Sequence, residues 1–135
     1  MLIDEGLELL SEEQCIELLA AHHLGRVGVT VGGLPVILPV NYTWIDDAIV
    51  FRTSVGTKLH AATEHAVVAF EVDAHDESEH TGWSVLAVGR SARVGDASEI
   101  ETYQQRSVKP WVESGRDEFV RVTPELLTGR RIAVA

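Results

Sequence analysis

Residues 26–53 read RVGVTVGGLPVILPVNYTWIDDAIVFRT. Three apolar, β-branched runs are divided by Gly32-Gly33 and by Asp46-Asp47, residue pairs that turn a chain tightly because they tolerate positive φ. The pattern predicts strands over Arg26–Val31, Val36–Trp44 and Ala48–Thr53, joined as consecutive hairpins. Pro39 in the middle run offers no amide to a ladder, so the chain there should lie at a sheet edge or a bulge.

The same alternation continues downstream. Ala66–Val72 and Trp83–Val94 read as further strands, with Gly89 marking a bulge or a close backbone approach, and Phe119–Thr123 and Arg130–Val134 read as the last two, linked by 124–129. Helices punctuate them. Ser11 followed by Gln14 has the form of a capping box, and Cys15, Leu18 and Leu19 recur on one apolar face until Gly25. Thr57 to His65 reads as a short helix, and Ser98 is placed to cap another over Glu99–Arg106, which Lys109-Pro110-Trp111 then ends. His22 and His23 fall where they would close the first helix. Six or seven hairpin-linked strands with a few short helices predict a mainly β fold, a small antiparallel barrel with flanking helices. With no repeat or linker in 135 residues, the expectation is one domain, 1–135.

Composition narrows the function. Eleven Lys and Arg stand against 21 Asp and Glu, a formal charge of -10, which disfavours nucleic acid as a partner. No apolar run approaches the roughly 20 residues of a membrane-spanning helix. The first residues lack the basic start of a secretion signal, and the one cysteine fits a reducing compartment, so a cytoplasmic location is expected.

The densest chemistry lies in Ile49–Leu59, Ile-Val-Phe-Arg-Thr-Ser-Val-Gly-Thr-Lys-Leu. Lysine occurs only at positions 58 and 109, so Lys58 is not generic surface. Arg52 and Lys58, with the hydroxyls of Thr53, Ser54 and Thr57, the flexible Gly56 and the amides of a helix start, compose a site for a phosphate dianion. The plainer alternative is a capped strand-to-helix turn whose cations pair with carboxylates. Leu34–Trp44 offers backbone groups beside Pro39, plus the amide of Asn41, to the rim of a flat heteroaromatic ring; an edge strand with a protective proline is the competing reading. Trp44, Trp83 and Trp111 stand near strand starts or breaks, suited to planar ligands or interfaces as much as to filling a barrel mouth. His75 and His80 flank Asp76, Glu77 and Glu79 in a loop that reads as solvated rather than metal-binding. His60 reads as a solvated helix position near the phosphate segment, and Cys15 as core. No nucleophile elbow, zinc-helix motif or Cys-x-x-Cys pair is present, so catalytic residues are unassigned and any redox chemistry belongs to a cofactor.

The ordered series Leu24-Gly-Arg-Val-Gly28, Leu38-Pro-Val-Asn-Tyr42, Phe51-Arg-Thr-Ser-Val-Gly-Thr-Lys58, Val68-Ala-Phe-Glu-Val72, Gly82-Trp-Ser-Val85 and Gly89-Arg90 resembles the pyridoxamine 5'-phosphate oxidase-like proteins. It looks most like their short actinobacterial and nitroimidazole-resistance branch, over residues 8 to 134. The resemblance implies a six-stranded split barrel that forms a homodimer, with flavin mononucleotide (FMN) at the subunit interface and a small organic molecule as substrate. Arg52, Thr53, Ser54 and Lys58 would hold its phosphate, while Pro39, Val40 and Asn41 would run along its ring. Trp83 and Ser84 would reach the flavin from the facing subunit, and Trp111 would cover it. Pyridoxal-phosphate-making members carry a longer carboxyl-terminal segment, whereas Thr-Gly-Arg-Arg-Ile-Ala-Val-Ala, ending at Ala135, reads as a plain strand, so a different substrate is expected. A related branch uses the deazaflavin F420, whose polyanionic tail would find only Arg26, Arg90, Arg93 and Lys109 here. A flavin-binding or storage protein without turnover is the third reading.

Overall fold

The computed structural model describes residues 3–4, 6–112, 115 and 117–132. Eight strands alternate with three helices: β1 (Ile3–Asp4), β2 (Leu7–Leu9), α1 (Glu12–Ala21), β3 (Leu24–Val31), β4 (Leu34–Ile45), β5 (Ala48–Ser54), α2 (Lys58–Ala62), β6 (Val67–Asp76), β7 (Thr81–Arg93), α3 (Ala97–Arg106) and β8 (Asp117–Ile132). They form one antiparallel sheet in the order β1-β2-β8-β5-β4-β3-β6-β7, and an additional β7–β8 pairing closes six of the strands on themselves. This is the expected six-stranded split barrel.

The split follows from an incomplete partnership. β4 pairs with β3 along Leu34–Asn41 but with β5 only over Tyr42–Ile45. Its first eight residues therefore have one open edge, and Pro39, whose ring could not serve a ladder, lies on that stretch. Asp46 and Asp47 make the β4–β5 turn at φ 49 and 62°, where short polar side chains tolerate the left-handed region.

Inside the barrel, Val27, Tyr42, Ile49, Phe51, Phe70, Val85, Val120 and Val122 are fully buried. Cys15 and Leu19 of α1 join this core, and burial pushes the Cys15 thiol above its ordinary pKa. The α1 start is the expected capping box, with Ser11 and Gln14 satisfying each other's amides. At its other end the carbonyl of Leu19 accepts from the buried Tyr42 hydroxyl at 2.7 Å, and His22 Nδ1 meets Leu18 O at 2.8 Å. A second cluster of Ile45, Val50, Val94, Tyr103 and Phe119 packs α3 against the outer face of β4 and β5.

Four local expectations need correction. The two closing strands are one: β8 runs unbroken from Asp117 to Ile132, and Val134 lies outside the described residues. Pro124 is tolerated because the β7–β8 register shifts between Val88 and Gly89, which pair with Leu126 and Pro124, so Glu125 bulges out. The first half of the polar segment 73–80 is strand, since the β6–β7 ladder continues to Asp76↔Thr81, and 77–80 form the turn. α3 is capped by Asp96 rather than Ser98, its carboxylate accepting from Glu99 N at 3.1 Å. α2 spans five residues, with Thr57 as its cap.

Gly89 is held by the closure. A Cβ built there would sit 2.0 Å from the carbonyl oxygen of Thr123. Gly89→Ala should therefore cost about 1–3 kcal/mol by forcing the β7–β8 backbones apart; urea denaturation measures this, and an unshifted midpoint would contradict the tight bulge.

Candidate functional site: a cleft at the slit of the barrel

The open edge of β4 is one wall of a cleft of about 390 Å³ lined by Leu24, Pro39, Val40, Asn41, Arg52, Pro110, Trp111 and Val112. Five residues proposed from sequence thus meet in one place: Pro39, Val40, Asn41, Arg52 and Trp111. The opposite wall is the segment after α3, stapled to β4 by two side chains. Val108 N–H donates to Thr43 Oγ1 and Trp111 N–H to Asn41 Oδ1, both at 2.9 Å, while Asn41 Nδ2 donates to His23 O at 3.4 Å. The Asn41 amide is therefore a brace between cleft walls rather than a free reader of a ring. Trp111 and Val112 are 78% and 86% exposed, so this wall presents large apolar surface to the opening.

Arg52 closes the inner end. Its guanidinium lies 4.8 Å from the centre of the Phe119 ring, its cross-strand partner, an attraction between cation and ring face. Its Nε is buried without a hydrogen-bond partner. Such a donor is costly to leave unmet, and an anion in the cleft would meet it. Lys58, exposed at the start of α2, makes no ion pair among the described residues. Arg52 likewise makes no ion pair among the described residues.

The hydroxyls are less uniform. Strand alternation places Arg52 and Ser54 on the outer face of β5 and the buried Thr53 on the inner one. Ser54 Oγ donates to Asp117 Oδ1 at 3.3 Å. Of the amides at the helix start, His60 N–H is taken by Thr57 Oγ1 at 3.1 Å, and in the turn before it Gly56 N–H is taken by His60 Nδ1 at 3.4 Å. His60 itself is buried, contrary to its reading as a solvated position, because α2 lays it against β8. Its Nε2 is 3.2 Å from Glu118 Oε2, close enough for an ion pair though without hydrogen-bond alignment.

Trp83 and Ser84 do not join the cleft. Trp83 pairs with Arg131 on β8, whereas Arg52 pairs with Phe119, twelve residues earlier on the same strand. Trp83 packs its ring 4.8 Å from that of His22. Ser84 borders a shallow depression with Glu71, Leu86, Thr128, Gly129 and Arg130. It adjoins an outer sheet face where Gly28, Ile37, Ala69 and Leu86 surround a hollow of about 310 Å³, rimmed by Arg26, Glu71 and Asp73. Ile37 is 71% exposed there. Leu24, Pro110, Val112 and Glu118 were not anticipated; the adjacency of Pro110 to Trp111 was the available signal.

A barrel slit on one strand edge, with an aromatic flap and an unmet arginine donor, defines a split-barrel protein. The model of the family described as pyridoxamine 5'-phosphate oxidase matches residues 11–131, and the chain belongs to that family. An uncharacterized protein of Mycobacterium tuberculosis is 37% identical over 128 residues, covering 91% of this chain and 84% of its own length. The structure of the FAD binding protein from Mycobacterium smegmatis superposes with a TM-score of 0.83 at 35% identity, over 95% of this chain and 100% of that one. An FAD-binding protein from Mesorhizobium loti shares the fold, with a TM-score of 0.74 at 22% identity over 93% and 97% of the two chains. No helix among the described residues is long and apolar enough to cross a membrane.

The outer face carries a titration signature. Burial first, then the neighbouring Asp73 carboxylate, raises Glu71 from 4.5 to about 7, against the pull of Arg26 at 3.3 Å. The folded state thus holds a proton that the unfolded chain releases, so Glu71 lowers stability as pH rises from 4.5 to 7. In thermal melts across that window, the midpoint of the native protein should fall relative to that of Glu71→Gln; parallel curves would contradict the shift.

Proposed function

We propose that the protein binds FMN in the slit and serves as a flavin-dependent oxidoreductase on a small organic molecule. The observation that carries this reading is the buried, unpartnered Nε of Arg52 at the closed end of the cleft. Arg52 and Lys58 supply the two charges that a phosphate monoester matches, with Ser54 adding a hydroxyl on the same face of β5. The backbone of Pro39–Asn41 lies along the ring, and Trp111 shields it from water. Bound flavin supplies the electron-transfer chemistry, and the chain supplies orientation and exclusion of solvent. The relative named as an FAD binding protein supports a flavin over other phosphorylated ligands.

The F420 alternative wants several spare cations. Arg26 is held by Glu71 and Asp73, Arg90 by Glu125 and Arg93 by Glu64, which leaves Lys109 of the four candidates. One observation favours a binding or storage role: among the described cleft residues none is a carboxylic acid, histidine, cysteine or tyrosine that could move a proton. Stopped-flow reduction by nicotinamide donors separates the two, since a storage protein would reduce no faster than free flavin.

A second copy of the chain completes the site in this reading. Trp83 and Ser84 do not line the slit of their own barrel, and the adjoining outer face exposes Ile37 and Leu86. Trp83→Ala should weaken flavin binding and dimerisation together, as titration and sedimentation would report; a monomer with undiminished affinity would remove the partner from the site.

The decisive experiment titrates the purified protein with FMN, FAD and F420, following absorbance and fluorescence. FMN should saturate at the lowest concentration; failure of every flavin to bind would overturn the proposal. Arg52→Ala and Lys58→Ala should each cost about 1.5–3 kcal/mol of FMN binding, roughly ten- to hundredfold in Kd, with little change for riboflavin.

A further inference from the structure

α2 is a five-residue helix whose Thr57, Lys58 and Ala61 face solvent, yet His60 within it is 7% exposed. All of its polar atoms but Nε2 are hydrogen-bonded, and Nε2 lies 3.2 Å from Glu118 Oε2 without hydrogen-bond alignment. Its N–H donates to Thr57 Oγ1, and its carbonyl accepts from Arg93 Nη2 at 2.9 Å and from Thr63 Oγ1 at 3.2 Å. Its ring accepts from Gly56 N–H through Nδ1. A nitrogen that accepts carries no hydrogen, so the ring proton of the neutral imidazole belongs to Nε2, the atom facing Glu118. Gly56 is the left-handed point of the turn, at φ 88°, between the strand bearing Arg52 and the helix bearing Lys58.

We propose that His60 is the positioning residue of the phosphate grip: Nδ1 tethers the Gly56 amide and so sets the spacing between Arg52 and Lys58, with Nε2 left facing Glu118. This rests on the phosphate assignment made above. The ring never touches the ligand. Its effect is confined to the phosphate end, since the walls along Pro39–Asn41 and Trp111 are braced separately by Asn41 and Thr43.

Two neutral amides dissect the tether. Asparagine carries its oxygen where Nδ1 lies, and glutamine carries its polar group further out, where Nε2 lies. His60→Asn keeps an acceptor for Gly56 and gives up Glu118; His60→Gln and His60→Ala give up the Gly56 acceptor. The measurement is the ratio of riboflavin Kd to FMN Kd, which isolates the phosphate from the ring. The native protein and His60→Asn should share a high ratio, and His60→Gln and His60→Ala should lower it about tenfold with riboflavin affinity unchanged. A native-like ratio in His60→Gln, or loss of riboflavin binding along with FMN in all three variants, overturns the positioning role alone. No preference for FMN over riboflavin in the native protein would instead defeat the phosphate assignment, and this inference with it.

Discussion

Strand β8 has to satisfy hydrogen bonds on both of its edges. It pairs with β5 over Asp117–Val122 and with β7 from Val120 to Arg131, so a single strand turns an open meander into a ring. A strand that long cannot follow a barrel wall without bending, and the bend is supplied where Gly89 lets the backbone of Thr123 approach and Glu125 is left out of register. The placement of Arg52 depends on this closure, because Phe119 beneath its guanidinium comes from the first residues of β8.

With the ring closed elsewhere, the shortfall of pairing is concentrated on β4. Its open edge would be a hazard if exposed, since unpaired backbone invites another strand. Here Pro39 interrupts it, and the segment after α3 is held over it through Asn41 and Thr43. The same device that protects the edge makes the cleft. Apolar residues and the Arg52 cation line it together.

The hairpins of 26–53, the capping box at Ser11, the edge position of Pro39 and the bulge at Gly89 were all legible, because each is a local consequence of one or two residues. What failed depended on partners distant in sequence. Pro124 and Gly129 punctuate the chain as if to end a strand, and only β7 alongside keeps β8 continuous. Residues 73–76 look like loop because both faces are polar, and their strand character comes from the β7 ladder. Asp96 and Ser98 are equally good caps on paper. In the site, the ordering of Arg52, Ser54 and Lys58 could be read, but the inward turn of Thr53 is set by the phase of β5, and the burial of His60 by where β8 passes. The separation of Trp83 from the slit is likewise a property of the closed ring.

The carbonyl of His23 and the amide of Trp111 are joined through one asparagine side chain. The exit of the first helix and the flap over the opening thus share a hinge pin, though 87 residues of chain lie between them. One side chain therefore fixes two boundaries at once, the aromatic wall of the slit and the joint where that helix leaves the barrel.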